Sequence, residues 1–90
     1  MRYEWDEIKR RANVAKHGLD FVRVRHFAWD TALIAVDDRE DYGELREVAL
    51  GFTGVRLHAL AYTPRRDDLV RVIMLRKATA KEVRKYEEES

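Results

Sequence analysis

Three kinds of residue in this chain are suited to handling a phosphate or a proton: histidines, strand-end cations and one C-terminal tyrosine. An unperturbed imidazole titrates near neutral pH, which makes His17, His26 and His58 natural acid/base candidates. His17 stands in Lys16-His17-Gly18, at the predicted end of a helix. It reads there either as a proton-transfer group or as a cation favoured by the helix dipole, beside a glycine that lets the chain turn. His58 falls inside a predicted strand, where a satisfied core or cross-strand role competes, and His26 falls within a weak helix. Arg46, Arg76 and Lys77 lie at predicted strand ends. The planar guanidinium fork matches phosphate oxygens and stays charged, so cations fixed at the rim of a packed strand can hold an anion. Solvated strand-end charge is the competing reading. Tyr86 carries a phenol able to donate a proton, while its spacing from Val83 also fits a core contact with the hydroxyl at the edge.

Other chemistries find no support. There are no cysteines, so neither a disulfide framework nor a thiolate metal site can form. No two histidines have metal-ligand spacing, and the acidic segment from Asp37 to Glu47 lacks the ligand register of a calcium loop. A Gly-rich phosphate loop and a G-x-S-x-G elbow are both missing. The expectation is a protein without metal or cofactor. Eighteen basic and seventeen acidic residues nearly cancel. Their distribution is uneven, acidic from Asp37 to Glu47 and basic from Arg56 to Lys85, which points to a polyanionic ligand or an acidic partner, or to a salt-bridged surface. No apolar run approaches the ~18 residues of a membrane span and no signal-peptide core follows Met1, so a cytoplasmic location without membrane contact is expected. The length of 90 residues suits one domain with a modest core.

The elements that must position these side chains follow from capping and periodicity. Asp6 predicts an N-cap for a helix over Glu7 to His17, stopped by Gly18, with Ile8, Ala12 and Ala15 inward and Asn13 a polar surface residue. Asp20 predicts a second, shorter helix from Phe21 to Phe27 whose inward set is Phe21, Val24, Phe27 and Ala28. Strands are expected at Ala32 to Val36, Arg46 to Phe52, Arg56 to Tyr62 and from Leu69 to the Arg76-Lys77 pair, with Thr63 to Asp68 as a turn. Strict alternation along the last strand puts Val70, Val72, Met74 and Arg76 on one face and Leu69, Arg71, Ile73, Leu75 and Lys77 on the other. Thr79-Ala80-Lys81-Glu82 matches a capping box opening a final helix, Ala80 to Glu88. The fold class is therefore α+β: two N-terminal helices, a four-stranded antiparallel sheet and a C-terminal helix.

These residues also resemble the BrnT toxin family. The resemblance is carried by Glu4-Trp5-Asp6, Lys9, Asn13, Lys16-His17-Gly18 and Phe21, then by Asp37-Asp38-Arg39, Gly43-Glu44 with Arg46, and Gly51. Tyr62-Thr63, Arg71-Val72-Ile73, Arg76-Lys77-Ala78-Thr79, Glu82 and Tyr86-Glu87 complete it, in order over nearly the whole chain. It implies a ribonuclease toxin of a type II toxin–antitoxin pair with a RelE-like fold, which cuts RNA without metal through the ribose 2′-hydroxyl and slows translation. The implied partner is a BrnA-like antitoxin with a ribbon-helix-helix DNA-binding domain, through which the hetero-oligomer reaches operator DNA. The site residues singled out are Arg76, Arg46, His17, Lys16, Lys77 and Tyr86. The chain departs from the family at Met74-Leu75, where Ser-Ala is usual, and at Leu45, where an acidic residue is usual. The alternative reading is a catalytically degenerate homologue that binds antitoxin or nucleic acid.

Overall fold

A computed structural model describes residues 1–90. Local signals act at both helices as expected. The Asp6 carboxylate accepts hydrogen bonds from the Ile8 and Lys9 amides at 2.7 and 3.4 Å, and Gly18 ends helix α1 (Glu7–His17) in the left-handed region at φ 71°. The Thr79 hydroxyl accepts from the Glu82 amide while the Glu82 carboxylate accepts from the Thr79 amide, which closes the capping box of α2 (Ala80–Glu89).

The sheet differs from expectation. Strands β2 (Leu33–Val36), β3 (Glu47–Thr53), β4 (Arg56–Pro64) and β5 (Leu69–Lys77) form the antiparallel meander, but a short β1 (Arg2–Glu4) adds a fifth. The order is β1-β5-β4-β3-β2, with β1 parallel to β5 through Arg2–Leu69, Tyr3–Val70 and Glu4–Arg71. Three residues are too few to show alternation, and their partners lie at the far end of the chain. The expected second helix is a 3₁₀ segment, Phe21–His26, followed by a 3₁₀ turn at Trp29–Thr31. Val22 and Val24 disfavour an α-helix there. Its anchors are nevertheless those expected: Phe21, Val24 and Phe27 are all buried. Pro64 closes β4 rather than joining the turn, and Arg46 lies just outside β3.

A register change in β5 decides which side chains share a face. Ala61 lies opposite Met74 whereas Tyr62 lies opposite Val72, so Ile73 is an extra residue, a β-bulge. Val70, Val72, Leu75 and Lys77 consequently point to the face covered by α1 and the 3₁₀ segment, together with His58, Leu60 and Tyr62. Arg71, Met74 and Arg76 point to the second face, with Ala59, Ala61 and Thr63. The alternation expected from sequence fails at the bulge. The core on the covered face joins Leu60, Tyr62, Val70, Val72, Leu75 and Ala49 to Leu19, Phe21, Val24 and Phe27. Gly51 makes room for this: a Cβ there would sit 2.5 Å from Phe27 Cζ.

Helix α1 is not held by its apolar residues. Ile8 is 76% exposed, and Ala12 and Ala15 also face solvent, against expectation. Asn13, expected on the surface, is the buried residue of α1. Its Nδ2 donates to the carbonyls of Leu19 and Leu75 at 2.9 and 2.8 Å, and its Oδ1 accepts from the Leu75 amide at 3.1 Å. Beyond Arg71 that edge of β5 has no neighbouring strand, so the Asn13 amide stands in for one. Helix α2 docks on the second face by three contacts. Glu82 receives a bidentate ion pair from Arg76 at 2.7 and 3.0 Å, the Tyr86 hydroxyl donates to the Thr31 carbonyl at 2.9 Å, and the Tyr86 ring meets Phe52 edge-on.

Two consequences are measurable. Asn13→Ala leaves a buried amide and carbonyl unpaired and should destabilise the chain by about 3 kcal/mol in denaturant unfolding. Asn13→Asp at neutral pH turns a carboxylate toward two carbonyls and should cost at least as much. It should recover only as the pH falls below about 4, where the new side chain is protonated and can donate. Glu82 provides the second. Its hydrogen bonds with Arg76 hold its pKa down, from 4.5 to about 2. A depressed carboxylate contributes stability that is present above 4.5 and lost as pH falls toward 2. The melting temperature of the natural chain should therefore drop more steeply across that window than that of Glu82→Gln; parallel curves would remove the ion pair from the account.

Candidate functional site

The structure divides the six sequence candidates between two places. Arg46 and Arg76 lie on the second face of the sheet, with Tyr86 at its margin. His17 and Lys77 line a groove on the covered face, and Lys16 is exposed beside His17 without lining it.

On the second face, arginines from several elements stand among carboxylates. Arg71 of β5 bonds Glu4 of β1 at 3.1 Å, and Arg65 from the β4–β5 turn approaches the same carboxylate at 3.5 Å. Arg39 pairs with Asp37 at 2.8 Å, and hydrogen bonds from Arg39 are the main cause of an Asp37 pKa of about 2. Arg39 also lies close enough to Arg76 to oppose its charge. The Glu82 carboxylate outweighs that effect and raises the pKa of Arg76, so its guanidinium stays charged and aimed. Met74 sits beside Arg76 on this face as an apolar neighbour, opposite Ala61.

Arg46 is different. Its guanidinium stacks on the Tyr42 ring, 3.9 Å from the centroid. Its Nε is buried and has no hydrogen-bond acceptor: the nearest carboxylate oxygen, Oε2 of Glu44, is 3.8 Å away. The same Glu44 oxygen accepts a hydrogen bond from the Thr63 hydroxyl at 3.1 Å. Glu44 and Thr63 also line an open cleft of about 310 Å³ with Glu4, Arg65 and Arg66. A preset cation with a free donor, beside a carboxylate held by a hydroxyl, can bind an anionic oxygen and exchange a proton nearby. Tyr86 does less than expected, because its hydroxyl is engaged by the Thr31 carbonyl and serves to tether α2.

The groove on the other face lies between the end of α1, the 3₁₀ segment and the β3–β4 hairpin, with a volume of about 850 Å³. It brings His58 next to His17, a meeting that strand position alone does not reveal. His58 is 2% exposed, and its Nδ1 lies 2.8 Å from the Arg56 carbonyl, which can only accept, so Nδ1 carries the proton. Burial, then the charges of Arg23, Arg56 and Lys77, lower its pKa against the raising effect of that hydrogen bond. Burial and the charges of Lys16 and Arg76 lower His17. Both imidazoles are accordingly neutral near neutral pH. No three His, Asp or Glu side chains converge in a metal-binding group on either face.

Comparison with known proteins accounts for this arrangement as a whole. The family model described as the ribonuclease toxin BrnT of type II toxin–antitoxin systems matches residues 5–82. The crystal structure of the Brucella abortus ribonuclease toxin BrnT is similar: it is 33% identical, the alignment covers 88% of this chain and 97% of that one, and the TM-score is 0.66. No curated protein matches. The second-face arginines, the Lys16-His17-Gly18 corner and the buried Asn13 all fall within the matched residues, and the chain belongs to the BrnT family of ribonuclease toxins of type II toxin–antitoxin systems.

Proposed function

We propose that this chain is a metal-independent endoribonuclease that cleaves RNA on the second face of the sheet, around Arg46 and Arg76, and thereby inhibits translation. The observation that carries this reading is the buried Nε of Arg46 without an acceptor. A buried donor left unpaired costs stability, and a phosphate oxygen entering from the cleft satisfies it. Cleavage through the ribose 2′-hydroxyl needs a group to take its proton, a group to protonate the leaving 5′-oxygen, and cations at the phosphorus, where charge builds. Arg46 and Arg76 supply the cations. Glu44, fixed by Thr63 and beside Arg46, is placed to take the proton.

A family member of this kind works with an antitoxin, and we assign that role to a BrnA-like ribbon-helix-helix protein that brings the complex to operator DNA. One observation favours the alternative of a degenerate, binding-only homologue: Arg76 gives both of its terminal nitrogens to Glu82, and Met74 lies beside it. The two readings separate on cleavage. Under the alternative, the chain still binds antitoxin but leaves RNA intact.

Arg46→Ala and Arg76→Ala should each lower RNA cleavage in EDTA by roughly 100- to 1000-fold, by analogy with removing one oxyanion-hole donor. Arg76→Lys should restore only part, because an ammonium cannot reproduce the bidentate fork. Lys77→Ala should leave the chemical step intact, since the bulge places Lys77 on the other face; an inactive Lys77→Ala beside an active Arg76→Ala would reverse the assignment. Circular dichroism on each variant separates loss of chemistry from loss of fold. Antitoxin in excess should raise the melting temperature, and added salt should weaken the complex. Affinity indifferent to salt would contradict charge-led recognition.

A further inference from the structure

The groove on the covered face holds an unmatched concentration of positive charge. Arg23 comes from the 3₁₀ segment, Arg56 from the start of β4 and Lys77 from the end of β5, and no carboxylate lines the space. None of these three cations belongs to any of the ion pairs of the molecule. On the second face, by contrast, Arg39, Arg46, Arg65, Arg71 and Arg76 each have a carboxylate within 4.0 Å. Like charges gathered without counter-charge repel, and a bound anion relieves that repulsion.

A second observation points the same way. Thr53, at the end of β3, is only 6% exposed and lines the groove, yet its Oγ1 has no hydrogen-bond partner. The His58 imidazole is held by the Arg56 carbonyl through Nδ1, which leaves Nε2 as its available nitrogen. A hydroxyl, two guanidinium groups, an ammonium and an imidazole, presented by separate rigid elements, suit a tetrahedral anion with several acceptor oxygens.

We propose that this groove is a second phosphate site, which takes a backbone phosphate of the RNA on the face of the sheet opposite Arg46 and guides the strand without taking part in cleavage. The assignment of RNA as the source of the phosphate rests on the reading of the chain as an RNA-cleaving toxin. Phosphate offers Nε2 of His58 an acceptor, so binding draws a proton onto an imidazole that is otherwise neutral, among Arg23, Arg56 and Lys77.

The test is binding of a 2′-O-methyl RNA oligonucleotide, which cannot be cut through the 2′-hydroxyl, to the full chain and to Arg23→Gln/Lys77→Gln. Both replaced side chains are exposed, so the fold is kept. On a single strand, every phosphate deprived of its cation makes the slope of log affinity against log salt shallower by about 0.7, so the slope of the double variant should be shallower by roughly 1.4. An unchanged slope overturns the proposal. Inorganic phosphate should shift the His58 imidazole signals in NMR and raise the pKa read from them in the natural chain, and should do neither in the double variant. Signals that stay still in the natural chain overturn it as well. A nucleoside monophosphate that binds as tightly as the oligonucleotide overturns the assignment to an RNA strand and makes the groove a free-nucleotide site. Failure of the cleavage reading shows separately, as unmodified RNA left intact while these binding results stand.

Discussion

The side-chain amide of Asn13 holds together the parts of this molecule that matter most. Helix α1 has almost no apolar face of its own, so the hydrophobic effect does little to dock it. One amide instead bonds the N–H and C=O of Leu75 and the carbonyl of Leu19. A buried strand edge with unpaired groups would be costly, and the asparagine satisfies it with the donor and acceptor a neighbouring strand would offer. The same bonds place the end of α1, with Lys16, His17 and Gly18, beside the end of β5, with Arg76 and Lys77. Everything near that corner inherits its position from this contact.

The bulge at Ile73 is the second constraint, and it explains why one strand can serve two surfaces. Before it, β5 presents Val70 and Val72 to the core; after it, Leu75 takes over and Arg76 turns away. Arg71 and Arg76, five positions apart, thereby reach the same face despite opposite parity. Without the extra residue Arg76 and Lys77 would exchange sides, and the Arg76–Glu82 pair that holds α2 could not form.

Legibility in the sequence follows the range of the interactions. The Asp6 and Gly18 boundaries of α1 and the Thr79–Glu82 capping box are readable because every partner lies within a few residues. The four-strand meander is readable from alternation and short connections. Strand β1 is not, since it is three residues long and its partners begin at Leu69. Asn13 escapes such a reading because its partners are backbone atoms that periodicity cannot see. Arg46 and Arg76 stand at strand ends as expected, but the bulge that sets the face of Arg76 leaves no mark in an apolar run such as Val72-Ile73-Met74-Leu75. His58 is visible as a strand residue, yet its meeting with His17, Arg23 and Lys77 depends on four elements folding together.

The two faces use positive charge differently, and the difference follows from whether a carboxylate stands nearby. An arginine paired with glutamate, as Arg76 is with Glu82, gives up part of its affinity for an incoming anion and gains a fixed direction. Direction is what stabilising a short-lived charge requires, because an oriented group need not reorganise as the charge develops. A cation without a partner, such as Arg23 or Lys77, keeps its full attraction at longer range but is not aimed, which suits capture of a polyanion. Arg46 lies between these cases: it is aimed by Tyr42 and neighboured by Glu44, while its Nε still lacks an acceptor. That combination of fixed geometry and unmet hydrogen-bonding capacity sets it apart from the other arginines of its face.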